Sequence, residues 1–257
     1  MTDADGDVDI PESHPRYESL LTRHRIEAGV EAGITSRQGL VAQGRGEAFD
    51  YLLGERTLPS ADAAERAAAA HLLLADHPVL SVNGNVAALV PGEVVDLAEA
   101  TGSDIEVNLF NRTDERMERI ADHLREHGAG EVKGLTADGT IPGLDHERAK
   151  VDADGIGDAD VVLVPLEDGD RAEALGELGK VEIVIDLNPM SRSARAADVP
   201  IVDNVVRAVP AITDHARDLA DADRGRLESV LAAFDADEAL SVAERAIREG
   251  GDDENGT

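Results

Sequence analysis

From Val79 to Val202 the chain repeats one arrangement: a short apolar run, a polar turn, then helical text. Val79-Leu80-Ser81-Val82 leads into Asn83-Gly84-Asn85. Val161 to Pro165 precedes a helix over Arg171 to Leu178. Val181 to Asp186 runs into Asn188-Pro189, and Pro200 to Val202 ends before Asn204, where helical periodicity resumes. Runs that are apolar at nearly every position belong to strands buried on both faces. Strands that alternate with helices pair in parallel. The expected fold is therefore α/β and Rossmann-like: a mostly parallel sheet with helices on both faces.

The remaining periodicities fill in that frame. Pro91 opens a helix whose core positions are Val94, Val95, Leu97 and Ala98, and Asp104 to Phe110 alternates as a strand. Thr113 to His127 reads as a strong helix. Asp114 and Glu115 sit in its first turn, Met117, Ile120, Ala121 and Leu124 form its apolar face, and Gly128 stops it. Glu131 to Leu135 is a further candidate strand. Ahead of the sheet, a helix is expected from about Ser13 to Ala32, with Pro15 in its first turn. Tyr17, Leu20, Leu21 and Ala28 share one stripe of it and Ile26, Val30 and Ile34 another. Residues 51–78 are Ala-rich helix. Residues 13–78 would thus add an N-terminal helical layer packed on the sheet. The expected organisation is one domain over 11–249, with a loose acidic start at 1–10 and a disordered acidic tail at 250–257. No internal repeat is visible.

Charge narrows the partners. The chain carries 54 Asp or Glu against 24 Lys or Arg, for a formal net charge of −30. Phosphate backbones and anionic membranes both need a basic footprint, so neither nucleic acid nor a membrane surface is an expected partner. No apolar run is long enough to span a bilayer, and the N-terminus has neither the basic nor the apolar segment of a signal peptide. With no cysteine there is no disulfide framework and no thiolate nucleophile. A cytoplasmic protein is expected. The acidity is dispersed along the whole length and only three basic residues are Lys (Lys133, Lys150, Lys180). That composition suits a halophilic habitat, where salt screens self-repulsion. A merely acidic mesophilic protein is the alternative.

Ligands of open parallel sheets bind beyond the carboxyl ends of the strands, and four polar segments are candidates for that edge. Gly44-Arg45-Gly46-Glu47 sets an Arg between two glycines, either as a phosphate-binding loop or as a solvated turn. Asn83-Gly84-Asn85 is either a small anion nest at a helix start or a plain Asn-Gly turn. Asp145-His146-Glu147-Arg148-Ala149-Lys150 surrounds a His that could serve as acid or base, or is a charged surface turn. No second His stands at metal-ligand spacing, so no metal site is expected there. Asp186-Leu187-Asn188-Pro189-Met190-Ser191-Arg192-Ser193 follows a strand directly. It offers hydroxyls and guanidinium forks for phosphates and a carboxylate or amide for a ribose or base. Asp203-Asn204-Val205 ends the next strand, so two consecutive strands deliver polar residues to one edge. Arg23 shares a helix face with Ile26 and Val30, and there it needs a partner, a bound anion or a route to solvent.

At these segments the chain resembles a known family. The strings are Ile10-Pro-Glu-Ser-His-Pro-Arg-Tyr17, Gly39-Leu-Val-Ala-Gln-Gly-Arg-Gly-Glu-Ala-Phe-Asp-Tyr51, Ser81-Val-Asn-Gly-Asn-Val-Ala-Ala-Leu-Val-Pro91, Ile141-Pro-Gly-Leu-Asp-His-Glu-Arg148, Val164-Pro-Leu-Glu-Asp-Gly-Asp-Arg171 and Asp186-Leu-Asn-Pro-Met-Ser-Arg-Ser-Ala-Arg195. Together they closely resemble the archaeal 4-phosphopantoate–β-alanine ligases, also called archaeal phosphopantothenate synthetases, from about residue 9 to residue 220. Gln43, in a place where the family pattern has His, and the divergent segment after 220 are departures.

The resemblance implies a homodimeric ligase of coenzyme A biosynthesis. It would join 4-phosphopantoate to β-alanine and convert ATP to AMP and pyrophosphate through an acyl adenylate, with Mg²⁺ accompanying the nucleotide. It puts ATP contacts at Arg23, Arg45, Asp186, Leu187, Asn188, Arg192, Ser193, Asn204 and Val205. Asn83 and Asn85 would lie near phosphopantoate, and His146 and Arg148 would be the catalytic candidates, His146 as the base for the amine. Two other functions fit a Rossmann-like sheet. An NAD(P)-dependent oxidoreductase would lack the Gly-x-Gly-x-x-Gly fingerprint here, and a non-catalytic nucleotide-binding regulator would bind ATP without releasing pyrophosphate.

Overall fold

The computed structural model describes residues 10–11, 13–165 and 169–250. The loose start and the acidic tail expected from the sequence lie almost wholly outside these residues. Three helices come first: α1 (Tyr17–Glu31), α2 (Gly39–Leu53) and α3 (Pro59–Leu74). Then follow β1 (Pro78–Val82), α4 (Gly84–Leu89), α5 (Pro91–Thr101), β2 (Asp104–Val107) and α6 (Asp114–Glu126). An irregular excursion carries the short strands β3 (Gly139–Thr140) and β4 (Lys150–Val151). The sheet resumes with β5 (Val161–Pro165), α7 (Gly169–Glu177), β6 (Val181–Ile185), α8 (Arg192–Ala196), β7 (Val199–Ile201) and α9 (Val205–Leu219). Helices α10 (Arg224–Ala232) and α11 (Ala236–Glu249) close the described chain.

The main sheet has five parallel strands in the order β2-β1-β5-β6-β7, and β3 pairs with β4 antiparallel. The alternation of β-strand side chains splits the core in two. On one face Leu80, Val82, Leu163, Ile183 and Ile185 join Met117, Ile120 and Leu124 of α6 and Val209 and Ile212 of α9. On the other, Val79, Val162 and Val164 meet Ile141, Val151, Ile156 and Leu175. Both faces are covered, as the apolar strand runs predict. The Ala-rich stretch is α3, whose Ala64, Ala67, Ala68, Ala69 and Ala70 are fully buried. Side chains this small let α3 lie close against α9.

Several boundaries differ from the sequence reading. The strand at Asp104 stops at Val107. Glu131–Leu135 is not a strand; Lys133 makes a single parallel bridge to Glu106. In α1 the buried stripe is Ser19, Thr22, Ile26 and Gly29, whereas Ala28 is exposed and Tyr17, Leu20 and Leu21 are half-buried. Pro15 lies ahead of the helix, which begins at Tyr17. Of the N-terminal helices, α3 packs along the sheet at β7. Gly46 of α2 reaches Leu187 and Asn204 at the carboxyl ends of β6 and β7, and α1 packs on α4. Helices α1 and α2 therefore roof the carboxyl edge, where ligands of such sheets bind.

Candidate active site at the carboxyl edge of the sheet

Strand order reverses between β1 and β5: the chain leaves β1 toward β2 and leaves β5 toward β6. The ladder between them pairs Pro78, Val79 and Leu80 with Val161, Val162 and Leu163 and goes no further. Beyond it the two strand ends are tied by the Asn83 side chain, whose Nδ2 donates to the Pro165 carbonyl at 3.0 Å. The Asn83 Oδ1 accepts from the Asn85 and Val86 amides at 2.9 and 3.1 Å. The Asn-Gly-Asn string is thus a helix cap at the switch point. Asn85 itself is buried. Its Oδ1 accepts from the Thr35 hydroxyl at 2.5 Å and its Nδ2 donates to the Gly39 carbonyl at 3.1 Å, which fastens the roof to the sheet.

Gly44-Arg45-Gly46 is not a turn. It lies inside α2, and the two glycines face opposite ways. A Cβ on Gly44 would meet nothing within 4 Å, whereas one on Gly46 would come to 3.2 Å from Asn204 Nδ2 and 4.0 Å from Leu187 Cδ1. Gly46 lets the helix backbone approach the strand ends. A cleft runs there, lined by Gln43, Gly46, Asn85, Leu187, Asn204 and Val205, among others. The structure thus gathers four of the sequence-predicted residues, Asn85, Leu187, Asn204 and Val205, beside α2. Arg45 is the next residue on that helix. It is exposed and has no partner among the described residues.

The other predicted cations are engaged. Arg23 grips Glu47 with both prongs, Nε to Oε1 at 2.8 Å and a terminal nitrogen to Oε2 at 2.7 Å, and Arg16 adds a contact at 3.0 Å. The bond to Arg23 holds the Glu47 carboxyl below its ordinary range and raises the guanidinium. Arg192 pairs with Glu173 and Asp170 on α7, at 3.0 and 2.7 Å. In the loop after β6, Asp186 works locally. It accepts from the Asn188 amide at 3.1 Å and from the Ser191 hydroxyl at 2.6 Å, and Ser191 in turn caps α8 by accepting from the Ala194 amide at 3.0 Å. Asn188 is exposed and Ser193 is buried.

His146 stands at the far end of the edge, across β1. Its ring lies 5.7 Å from that of Phe110, and its Nδ1 is buried with no hydrogen-bond partner among the described residues. Asn108, just past β2, donates to the carbonyls of Arg148 and Lys150 at 3.4 and 3.0 Å, so the His146–Lys150 segment is hung from the end of β2. Arg148 is buried. A second depression joins His146 and Asp145 to Asp170 and Glu173 of α7. The edge thus has two polar zones, one at β6/β7 under α2 and one at β1/β2 around His146, with Asn83 between them.

Sequence reasoning missed the residue that organises the first zone. Arg207, on α9, donates to Asp203 at 2.6 and 3.1 Å, to Asp50 at 2.6 Å and to Glu18 at 3.0 Å. Asp50 also accepts from Asn204 Nδ2 at 3.1 Å. Burial pushes the Asp50 carboxyl up, and the bonds from Arg207 and Asn204 oppose that. Only Asp203 lies at helical spacing from Arg207, so no sequence signal announced the rest. Arg116 was also missed. It is half-buried, donates from Nε to the Ile34 carbonyl at 3.2 Å, and its terminal nitrogen lies within 2.7 Å of where a Gly84 Cβ would stand. A cation therefore flanks the start of α4.

The sequence profile of the phosphopantothenate/pantothenate synthetase family matches residues 60–250. A protein of Thermococcus kodakarensis named 4-phosphopantoate–beta-alanine ligase is 54% identical over 243 residues, covering 94% of this chain and 93% of the relative. One of the same name from Methanosarcina mazei is 54% identical over 242 residues, 94% of this chain and 95% of the relative. Another from Methanospirillum hungatei is 58% identical over 200 residues, 78% of this chain and 82% of the relative.

Proposed function

Since the chain belongs to the phosphopantothenate/pantothenate synthetase family, we infer that it is a ligase of coenzyme A biosynthesis that joins 4-phosphopantoate to β-alanine at the expense of ATP. The observation that carries this reading is identity above half of all positions along nearly the whole of relatives bearing that name.

A carboxylate is a poor electrophile because its leaving group would be oxide. In the reaction we propose, the 4-phosphopantoate carboxylate attacks the α-phosphorus of ATP, releasing pyrophosphate and leaving an acyl adenylate. The β-alanine amine then attacks the acyl carbon and AMP departs. No protein nucleophile is required, which suits a chain without cysteine. The protein's part is positioning and charge stabilisation.

In this scheme the nucleotide lies in the cleft beside α2. Leu187, Asn188, Asn204 and Val205 hold base and ribose, Asp186 and Ser193 keep the loop in shape, and Arg45 meets the phosphates. Arg23 joins it by exchanging Glu47 for a phosphate oxygen. Arg192 would have to leave Asp170 and Glu173 to do the same. Mg²⁺ would accompany the nucleotide as part of that substrate and would offset its phosphate charge. Phosphopantoate lies toward the switch point near Asn83, with Arg148 on its far side. Asn85 serves it indirectly by fixing α4. His146, with an unpartnered buried Nδ1, is the candidate base for the β-alanine ammonium.

The test is isotope exchange. With 4-phosphopantoate and Mg-ATP but no β-alanine, labelled pyrophosphate should enter ATP, and omission of 4-phosphopantoate should stop it. Multiple-turnover AMP formation should need both acceptor and acid. If ADP and phosphate formed instead, with carboxylate oxygen label in the phosphate, the adenylate would be wrong.

A further inference from the structure

One group of side chains, on α3 and α9, has no part in the proposed reaction. Glu65 lies on the buried face of α3 and is completely inaccessible. Neither of its carboxylate oxygens has a hydrogen-bond partner among the described residues. A buried carboxyl without a partner is costly, because nothing replaces the water it lost. Asp62, one helical turn earlier on α3, and His215 on α9 lie beside it. One ligand atom from each of the three falls within 4.8 Å of the other two. His215 Nε2 meets Asp62 Oδ1 at 3.0 Å. Asp62 is largely exposed and His215 half-buried, so the group has a dry floor and an open side toward solvent.

We propose that Asp62, Glu65 and His215 form a binding site for one divalent transition-metal cation of the Zn²⁺ class, which clips α3 to α9. The ligand set is the reason for the class. One imidazole with two carboxylates suits a borderline cation, whereas Mg²⁺ and Ca²⁺ prefer oxygen ligands throughout. Residues 62 and 65 stand three apart and so project from one face of α3, and His215 closes the set from the facing helix. A cation bound there gives the Glu65 carboxylate the partner it lacks, and water can fill the remaining coordination position on the Asp62 side. The 3.0 Å contact between Asp62 and His215 opens as both turn to the cation. The site needs no nucleotide, so its fate is independent of the proposed reaction.

The experiment uses the full, tag-free chain, stripped of metal by chelator and kept in molar KCl so that diffuse binding to the acidic surface is screened. Zn²⁺ titrated calorimetrically should bind at one site per chain and raise the melting temperature. A large excess of Mg²⁺ should not displace it. Co²⁺ in its place should give the intense visible bands of a four- or five-coordinate ion. Glu65→Gln keeps the buried shape and removes a ligand, and Asp62→Asn changes a largely exposed residue. Each should weaken Zn²⁺ by at least about a hundredfold and abolish the melting shift while retaining the wild-type circular dichroism. No Zn²⁺ bound to the wild type, binding undiminished in both variants, or equal displacement by Mg²⁺ would each overturn the proposal.

Discussion

Asn204 joins two elements with one side chain: its Oδ1 accepts from the Val206 amide at the start of α9, and its Nδ2 donates to Asp50 on α2 at 3.1 Å. The cap and the roof of the cleft are therefore one interaction. Asn204→Ala should lose both, lowering stability by about 1–2 kcal/mol, the usual range for a lost cap. Asn204→Asp keeps an equally good capping oxygen but sets a second carboxylate against Asp50. If electrostatics at Asp50 matters, the Asp variant is the less stable of the two in urea denaturation, reversing the ranking that capping alone predicts.

The glycines of α2 separate helix propensity from contact. Gly44→Ala fills open space on an exposed helical face and should stabilise by about 0.5–1 kcal/mol, leaving ATP affinity alone. Gly46→Ala gains the same propensity but places a methyl 3.2 Å from Asn204 Nδ2. It should show no net gain and should weaken ATP in calorimetric titration. Equal behaviour of the two variants would remove α2 from the nucleotide site.

Arg45 and Arg23 should differ in how they fail. Arg45 is exposed and has no partner among the described residues. Arg45→Ala should therefore cost ATP binding about 1.5–3 kcal/mol, the scale of a charge-assisted contact, with an unchanged melting temperature. Arg45→Lys should be impaired as well, because an ammonium cannot reproduce the fork. Arg23→Ala removes the two-pronged partner of Glu47 and leaves it only the Arg16 contact. It should lower both ATP affinity and, modestly, stability, and the stability loss should shrink in Arg23→Ala/Glu47→Gln.

Glu106 sets a pH dependence. It is fully buried on β2 and accepts from the Ile156 and Asp152 amides at 2.7 and 3.2 Å. Burial outweighs those bonds and pushes its carboxyl up to about 7. The folded state thus holds this proton more tightly than the unfolded state. Its contribution to stability is complete below about pH 4.5 and is lost as pH rises to about 7, on the order of 3 kcal/mol in all. Chemical denaturation of wild type and Glu106→Gln across pH 4.5–7.5 should show wild type losing stability relative to the variant as pH rises. A constant difference would mean that Glu106 does not titrate there.

The parts of the fold that were legible were those where one requirement acts alone. Strands β1, β5 and β6 are apolar because both faces are covered. Helix α6 shows its Met117, Ile120, Ala121 and Leu124 face cleanly because its other side is solvated. Where two requirements compete, the text misled. A Gly-Arg-Gly string reads as a turn, yet Gly39, Gln43, Gly46, Asp50 and Leu53 recur at helical spacing along the buried side of α2. That periodicity was the available signal, hidden because small and polar residues stand where apolar ones usually mark the inward face. Asn204 and Val205 could be placed at the sheet edge because they follow a strand directly. Arg207 could not, since Glu18 and Asp50 come to it only through the tertiary fold. Arg23 was expected to need a partner or a bound anion, and Glu47 is that partner.

The reversal of strand order also bears on how the chain assembles itself. Pro78 is paired with Val161, so forming the β1–β5 ladder closes a loop over the whole intervening stretch. The entropy of closing so long a loop makes such a pairing slow, whereas α6 can form from neighbouring residues. In pulsed hydrogen exchange during refolding, the Leu80 and Leu163 amides should therefore become protected well after those of Ile120 and Leu124. The two halves of the prospective catalytic edge would meet late. A nascent or partly refolded chain would carry helices and a compact shape before it had anywhere to put a nucleotide.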